Sequence, residues 1–229
     1  MLAWLTEHGT TPEAQFVFRA WLNRGGDFEP IREQIYTWIV LWQGEPETSF
    51  VTRHLVKRHD LPEPVILAIA SWAVTFRDHE DSLDRLAALI GHVHEDMMTE
   101  AGFLRLVSLA EDAIIETLDR ERLSEQDRSD LWRISGSLSR NPLFSCNPQG
   151  CLRAITAIVK SERVFVRGLA TNGADFLNHT YERIFNTVLN AIRWGNLSIT
   201  DDRGALEVFA DWLRSAGFEL ERLERALEK

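Results

Sequence analysis

Arg19 and Arg53 stand 34 residues apart. Like cations repeated on successive helices can hold an acidic segment through charge-assisted hydrogen bonds. The ordinary alternative is two solvated arginines at a repeated surface position. Arg24, Lys57 and Arg58 fall where helices are predicted to end. A cation there complements the helix macrodipole, so these three form a second set of partner-binding candidates. His79, His92 and His94 lie close in the chain, with Asp78, Glu80, Asp81, Glu95 and Asp96 around them. Yet the spacing of His92 and His94 puts them on different faces of a helix, unlike the i, i+4 pair of a zinc helix. No metal site is expected from them. Cys146 and Cys151 lack the second cysteine pair of a structural zinc site. They read as a loop thiol and a partly buried helical thiol, with a regulatory disulfide as the alternative. Eight tryptophans, Trp4, Trp21, Trp38, Trp42, Trp72, Trp132, Trp194 and Trp212, could stack on bases. The regular placement of Trp4, Trp38 and Trp72 favours a core role instead. The chain has no P-loop, GxGxxG, GxSxG or CxxC motif, and no nucleophile beside a recognisable base. Paired acids such as Glu111-Asp112 and Asp201-Asp202 read as caps or solvated faces. Neither an enzyme nor a resident cofactor is expected.

The elements that would position these residues follow from an internal repeat. Trp4, Trp38 and Trp72 are spaced by 34, as are Pro12 and Pro46, Glu13 and Glu47, and Phe16 and Phe50. Val17 and Val51, Leu22 and Val56, Arg24 and Arg58, Pro30 and Pro64, and Ile35 and Ile69 continue the series. A third rung is fainter: Asp81 follows Glu13 and Glu47, and Ile90 follows Leu22 and Val56. A fixed period of this length marks a stack of supersecondary units. Each unit reads as two helices. The first predicted helix spans Glu13 to Arg24, with a stripe of Phe16, Val17, Ala20 and Trp21. Gly25 and Gly26 break it, and Pro30 opens the next helix, where its missing N–H costs nothing. Ile31, Ile35, Trp38 and Ile39 form that helix's stripe. The second unit has helices over Thr48 to Arg58 and Pro64 to about Phe76. Trp4 ends a second helix, so the reading starts in mid-unit. Residues 1–8 are then a truncated capping helix, or the chain is a segment of a longer array.

Beyond residue 94 the period dissolves. Helices are expected over Ala101 to Leu118, from a Ser124 capping box through Ile134, and over Cys151 to Ala170, Leu177 to Trp194 and Ala205 to Ala216. Ser135 to Gly150 reads as the junction. Phe209, Trp212, Leu213, Gly217, Phe218 and Glu219 echo Phe18, Trp21, Leu22, Gly26, Phe28 and Glu29, which suggests a C-terminal cap. The fold class expected is all-α, an α-solenoid of stacked antiparallel helical hairpins. Its regular repeat region covers 1–134, and a diverged region at 151–229 continues it.

Composition bounds the function. The chain of 229 residues is 45% hydrophobic and 26% charged, which fits an ordinary globular protein and argues against disorder. Its formal charge of −10 argues against nucleic acid as a non-specific partner. The charge is uneven, because residues 1–120 hold 20 acids against 10 cations. From Arg133 to Arg193, eight cations face only Glu162, Asp175 and Glu182. No apolar run reaches a bilayer-spanning length, and the start, MLAWLTEHG, lacks the pattern of a secretory signal. A cytoplasmic location without membrane contact is therefore expected. Only Lys57, Lys160 and Lys229 are lysine, a bias that points to a GC-rich bacterial genome.

The unit length equals that of tetratricopeptide repeats, although their Trp-Leu-Gly-Tyr signature is missing. The paired helices also resemble HEAT and armadillo repeats without their proline and arginine positions. The region 1–94 is similar to Trp-rich helical arrays appended to bacterial signalling and conflict NTPases, which act as sensors or adaptors. That resemblance implies partner binding with no chemistry carried over. The function expected is a non-enzymatic protein–protein interaction module, an adaptor, sensor or regulator with another protein as its partner. The alternative is a HEAT-like nucleic-acid-binding protein, similar to the alkylpurine DNA glycosylases. That alternative needs the 133–193 cations on one concave face beside Trp132 or Trp194.

Overall fold

The computed structural model describes residues 1–140, 142–161, 185–186, 188–189, 192, 203–215 and 225. Every regular element among them is helical and none is a strand. The chain divides into two compact units, Met1–Gly102 and Phe103–Lys229. No helix among the described residues is long and apolar enough to cross a membrane.

The first unit opens with α1 (Leu2–His8) and α2 (Ala14–Asn23). Gly25 ends α2 in the left-handed region at φ +68°, a conformation that favours glycine. Gly26 follows because the Trp21 indole, whose Nε1–H donates to the Asp27 carbonyl at 2.6 Å, occupies the space a Cβ would need. A 3-10 turn at Glu29–Ile31 leads into α3 (Arg32–Trp42), with Pro30 in the first turn. A second such turn at Pro46–Thr48 leads into α4 (Ser49–Thr52). Next come α5 (Glu63–Thr75) and α6 (Ser82–His92), and then α7 (Glu100–Leu118), which begins at the end of this unit. Helix α2 packs on α4, α3 on α5, and α5 on α6.

Two expectations change here. The buried positions of α2 are Ala14 and Phe18, one helical turn apart, while Phe16 is 64% exposed. Two residues advance a helix by about 200°, so Phe16 cannot share the face of Phe18. Helix α4 stops at Thr52 instead of running to Arg58, and turns follow it. Its residues favour local bonds over helix: Thr48 Oγ1 donates to the Trp42 carbonyl at 2.5 Å, and Thr52 Oγ1 to the Ser49 carbonyl at 3.2 Å. The stripe of α3 lies as expected, with Ile31, Ile35, Trp38 and Ile39 all buried.

Three pairs of positions 34 residues apart, along the second helix of each unit, are buried alike. Ile31 and Val65, Ile35 and Ile69, and Trp38 and Trp72 are all buried. The Trp38 Nε1–H donates to the Thr11 carbonyl at 2.8 Å, and the Trp72 Nε1–H to the Glu45 carbonyl at 3.1 Å. Each indole therefore reaches back 27 residues to a main-chain oxygen. Trp4 departs from the core role expected of it. It is 37% exposed and packs on the His8 ring at 5.0 Å.

The second unit holds the rest of α7, α8 (Glu125–Leu138), α9 (Leu143–Cys146), α10 (Pro148–Lys160) and α11 (Arg203–Ser215). The capping box forms: Ser124 Oγ accepts from the Asp127 N–H at 3.0 Å, and Asp127 Oδ2 accepts from the Ser124 N–H at 2.9 Å. The stretch 135–150 is more helical than expected. Gly136 lies inside α8, Pro142 caps α9, and Pro148 occupies the first turn of α10, where proline starts a helix and does not break one. Phe209 is buried on α11, like its echo Phe18. The helix expected at Leu177 to Trp194 lies mostly outside the described residues. The side chains of Trp212 and Leu213, and residues Gly217, Phe218 and Glu219, lie outside them altogether.

Candidate functional site

Phe16 and Phe50 head the same four-residue sequence, Phe-Val-x-Arg, on α2 and at the start of α4. Phenylalanine and arginine three residues apart share one side of a helical turn. Phe16 is 64% exposed and Phe50 36%. The Arg19 guanidinium lies over the Phe50 ring, 4.6 Å from its centroid, so the two copies of the sequence touch. This is a cation–π contact between exposed groups. Arg53 is exposed at the end of α4. Arg19 and Arg53 are both exposed, each three residues after a phenylalanine, and Arg19 meets the phenylalanine of the other copy.

A third cation lies near His54. Arg85 on α6 is buried, and its guanidinium pairs with Asp81 at 3.1 Å and Asp84 at 2.5 Å. His54 sits within reach of all three arginines. Its protonation is disfavoured first by burial, then by Arg53, Arg85 and Arg19. Its Nε2 is buried with no hydrogen-bond partner. The sequence carries no signal for this convergence, because Arg85 falls two residues short of the 34-residue register.

The other cation candidates part company. Arg24 caps the end of α2 and is exposed, and Lys57 is exposed in the turns after α4. Arg58 is spent within the chain. It forms a bidentate pair with Asp60, Nε to Oδ1 at 2.8 Å and Nη2 to Oδ2 at 2.7 Å. Its guanidinium also lies over the Phe28 ring at 3.8 Å. The pair holds the Asp60 carboxyl below its usual range. Burial, then the nearby Asp60, raises the Tyr36 phenol, which donates to the Asp60 carbonyl at 3.3 Å.

His92 and His94 do come together, through a residue the sequence reading missed. His92 ends α6 and His94 is extended beyond it, so the helical-face argument does not govern them. The His59 ring lies 5.5 Å from His92 and 5.1 Å from His94, and His59 Nδ1 is 3.1 Å from His94 Nε2. Among the described residues no group of three or more His, Cys, Asp or Glu is arranged to hold a metal ion. His79 is elsewhere, with its ring edge-on to Trp72 at 5.3 Å. Cys151 is buried on α10, and burial, then Cys146 and Glu111, holds its thiol well above the usual range.

Of the eight cations between Arg133 and Arg193, Arg133 pairs with Asp130 at 2.6 Å and Arg153 with Glu111 at 2.8 Å. Arg140 is exposed. The side chain of Lys160 and residues Arg163, Arg167, Arg183 and Arg193 lie outside the described residues, as does Trp194. Trp132 is buried on α8. Comparison with protein-family models, with curated proteins and with solved structures finds no match to this chain.

Proposed function

We propose that this chain is a non-enzymatic protein–protein interaction module, an adaptor, sensor or regulator built as a short α-solenoid of helical hairpins and working in a bacterial cytoplasm. The observation that carries the reading is the twice-used Phe-Val-x-Arg surface. Phe16 is mostly exposed and Phe50 about one-third exposed, and these two large apolar side chains lie at one repeat position with an arginine beside each. Aromatic and arginine side chains are the types that dominate protein interfaces. Arg19 and Arg53 suit an acidic segment, with Phe16 and Phe50 as its apolar anchors. The shared burial of Ile31 and Val65, Ile35 and Ile69, and Trp38 and Trp72, with the matched indole bonds, supports the hairpin array. Arg24 and Lys57 remain rim candidates. Arg58 is assigned to holding the fold.

The test is affinity capture from host lysate, with and without nuclease, using the wild type and F16S/R53E. One protein is expected at near-stoichiometric yield after nuclease, and its recovery should fall at least about tenfold in the variant. Circular dichroism and melting of the variant should match the wild type, because both side chains are exposed. Equal capture by the variant would remove the proposed surface. Recovery lost to nuclease would move the function to the nucleic-acid alternative.

A further inference from the structure

Beside the N-terminal end of that surface lies a cavity of about 310 Å³, open to solvent and lined by Pro12, Gln15, Trp38, Trp42, Glu45 and Glu47. Its size is at the small end for ligand sites and fits one long side chain. Both indole N–H groups are already used, Trp38 on the Thr11 carbonyl and Trp42 on the Thr10 carbonyl at 3.0 Å. Trp38 is buried and forms the floor, so the half-buried Trp42 is the ring that offers a guest its π face and no donor. Glu45 and Glu47 are exposed, and their carboxylates enter no ion pair or side-chain hydrogen bond among the described residues. Gln15 is the one lining side chain with a donor to spare. An anion would meet two carboxylates and almost nothing to bind it. A cation would meet two carboxylates and the face of the Trp42 ring, the combination that recognises ammonium and guanidinium groups.

The next joint along the chain shows what the first one leaves open. Thirty-four residues on from Trp38, Trp42 and Glu45 stand Trp72, Phe76 and His79. There the chain packs its own rings on the tryptophan, Phe76 at 5.9 Å and His79 at 5.3 Å. At the first joint the position of that imidazole belongs to the Glu45 carboxylate.

We propose that the Trp38–Trp42–Glu45–Glu47 cavity receives a single cationic side chain, the guanidinium or ammonium of a basic segment in a partner protein. The inference does not depend on the Phe-Val-x-Arg surface, and its test reads the cavity directly. The full chain is labelled with ¹⁵N at the tryptophan indoles, and W38F and W42F assign the two signals. The probes are blocked peptides Gly-Ser-Gly-X-Gly-Ser-Gly, with X as arginine, lysine, citrulline or glutamate. The arginine and lysine peptides should shift the Trp42 indole signal saturably. The citrulline and glutamate peptides should bind at least about tenfold more weakly. E45Q/E47Q should weaken arginine-peptide binding by a similar factor and leave the Trp72 signal in place, because Trp72 bonds the Glu45 main chain and not its carboxylate. The proposal is overturned by no saturable shift up to about 10 mM peptide. Equal binding of the citrulline peptide, or unchanged binding in E45Q/E47Q, overturns it too.

Discussion

His54 carries the clearest consequence at the scale of one residue. Burial and three arginines hold its folded proton affinity below the ordinary histidine value. As pH falls through about 6.5, the unfolded chain takes up this proton before the folded one does. The stability contributed by neutral His54 is therefore present above that pH and lost as pH falls towards the folded value. Thermal melts at pH 8, 7, 6 and 5 should show the wild type losing stability on the acid side more steeply than H54Q. Parallel curves would mean that neither burial nor the arginines lower the proton affinity of this imidazole. The sequence pointed to Arg19 and Arg53 but not to this histidine, because the groups that perturb it come from three helices. Phe16 was misassigned for a related reason. Phe16, Val17, Ala20 and Trp21 form a helical stripe on paper, yet the packing of α2 on α4 buries the face of Ala14 and Phe18. Glu47 is legible only as a repeat match to Glu13, and Glu45 only as the position that histidine takes one period on.

The helices themselves were largely legible, since glycine, proline and the apolar spacing act within a few residues. Helix α3 and the Ser124 cap came out as read. The short α4 did not, because threonine and serine side chains compete for the main chain there. The Ser124 cap gives a test at this scale. S124A removes the acceptor for the Asp127 N–H and should cost about 1 kcal/mol, read as a lower urea midpoint with an unchanged slope. S124G should cost only a few tenths of that, because glycine is itself tolerated at this position. If S124A loses nothing, the side-chain bond is not what holds the start of α8.

Charge is a property of the whole molecule. A net −10, concentrated in the first 120 residues, makes the folded chain repel itself. Salt shortens the reach of that repulsion from about 10 Å at 0.1 M to about 3 Å at 1 M. The melting temperature should rise by a few degrees between low salt and about 0.5 M sodium chloride, a change in stability of about 1 kcal/mol. A fall would mean that pairs such as Arg58–Asp60 and Arg153–Glu111 outweigh the excess of acids. The two indole bonds that reach back 27 residues bear on how such a chain can change over generations. One residue inserted in α3 ahead of Trp38 turns the indole about 100° around its helix and strands it from its carbonyl. Small insertions and deletions are therefore penalised in the helices that carry these indoles. A duplicated stretch of coding sequence one full period long arrives with both the indole and its acceptor, so lineages of this chain should differ in length by whole periods.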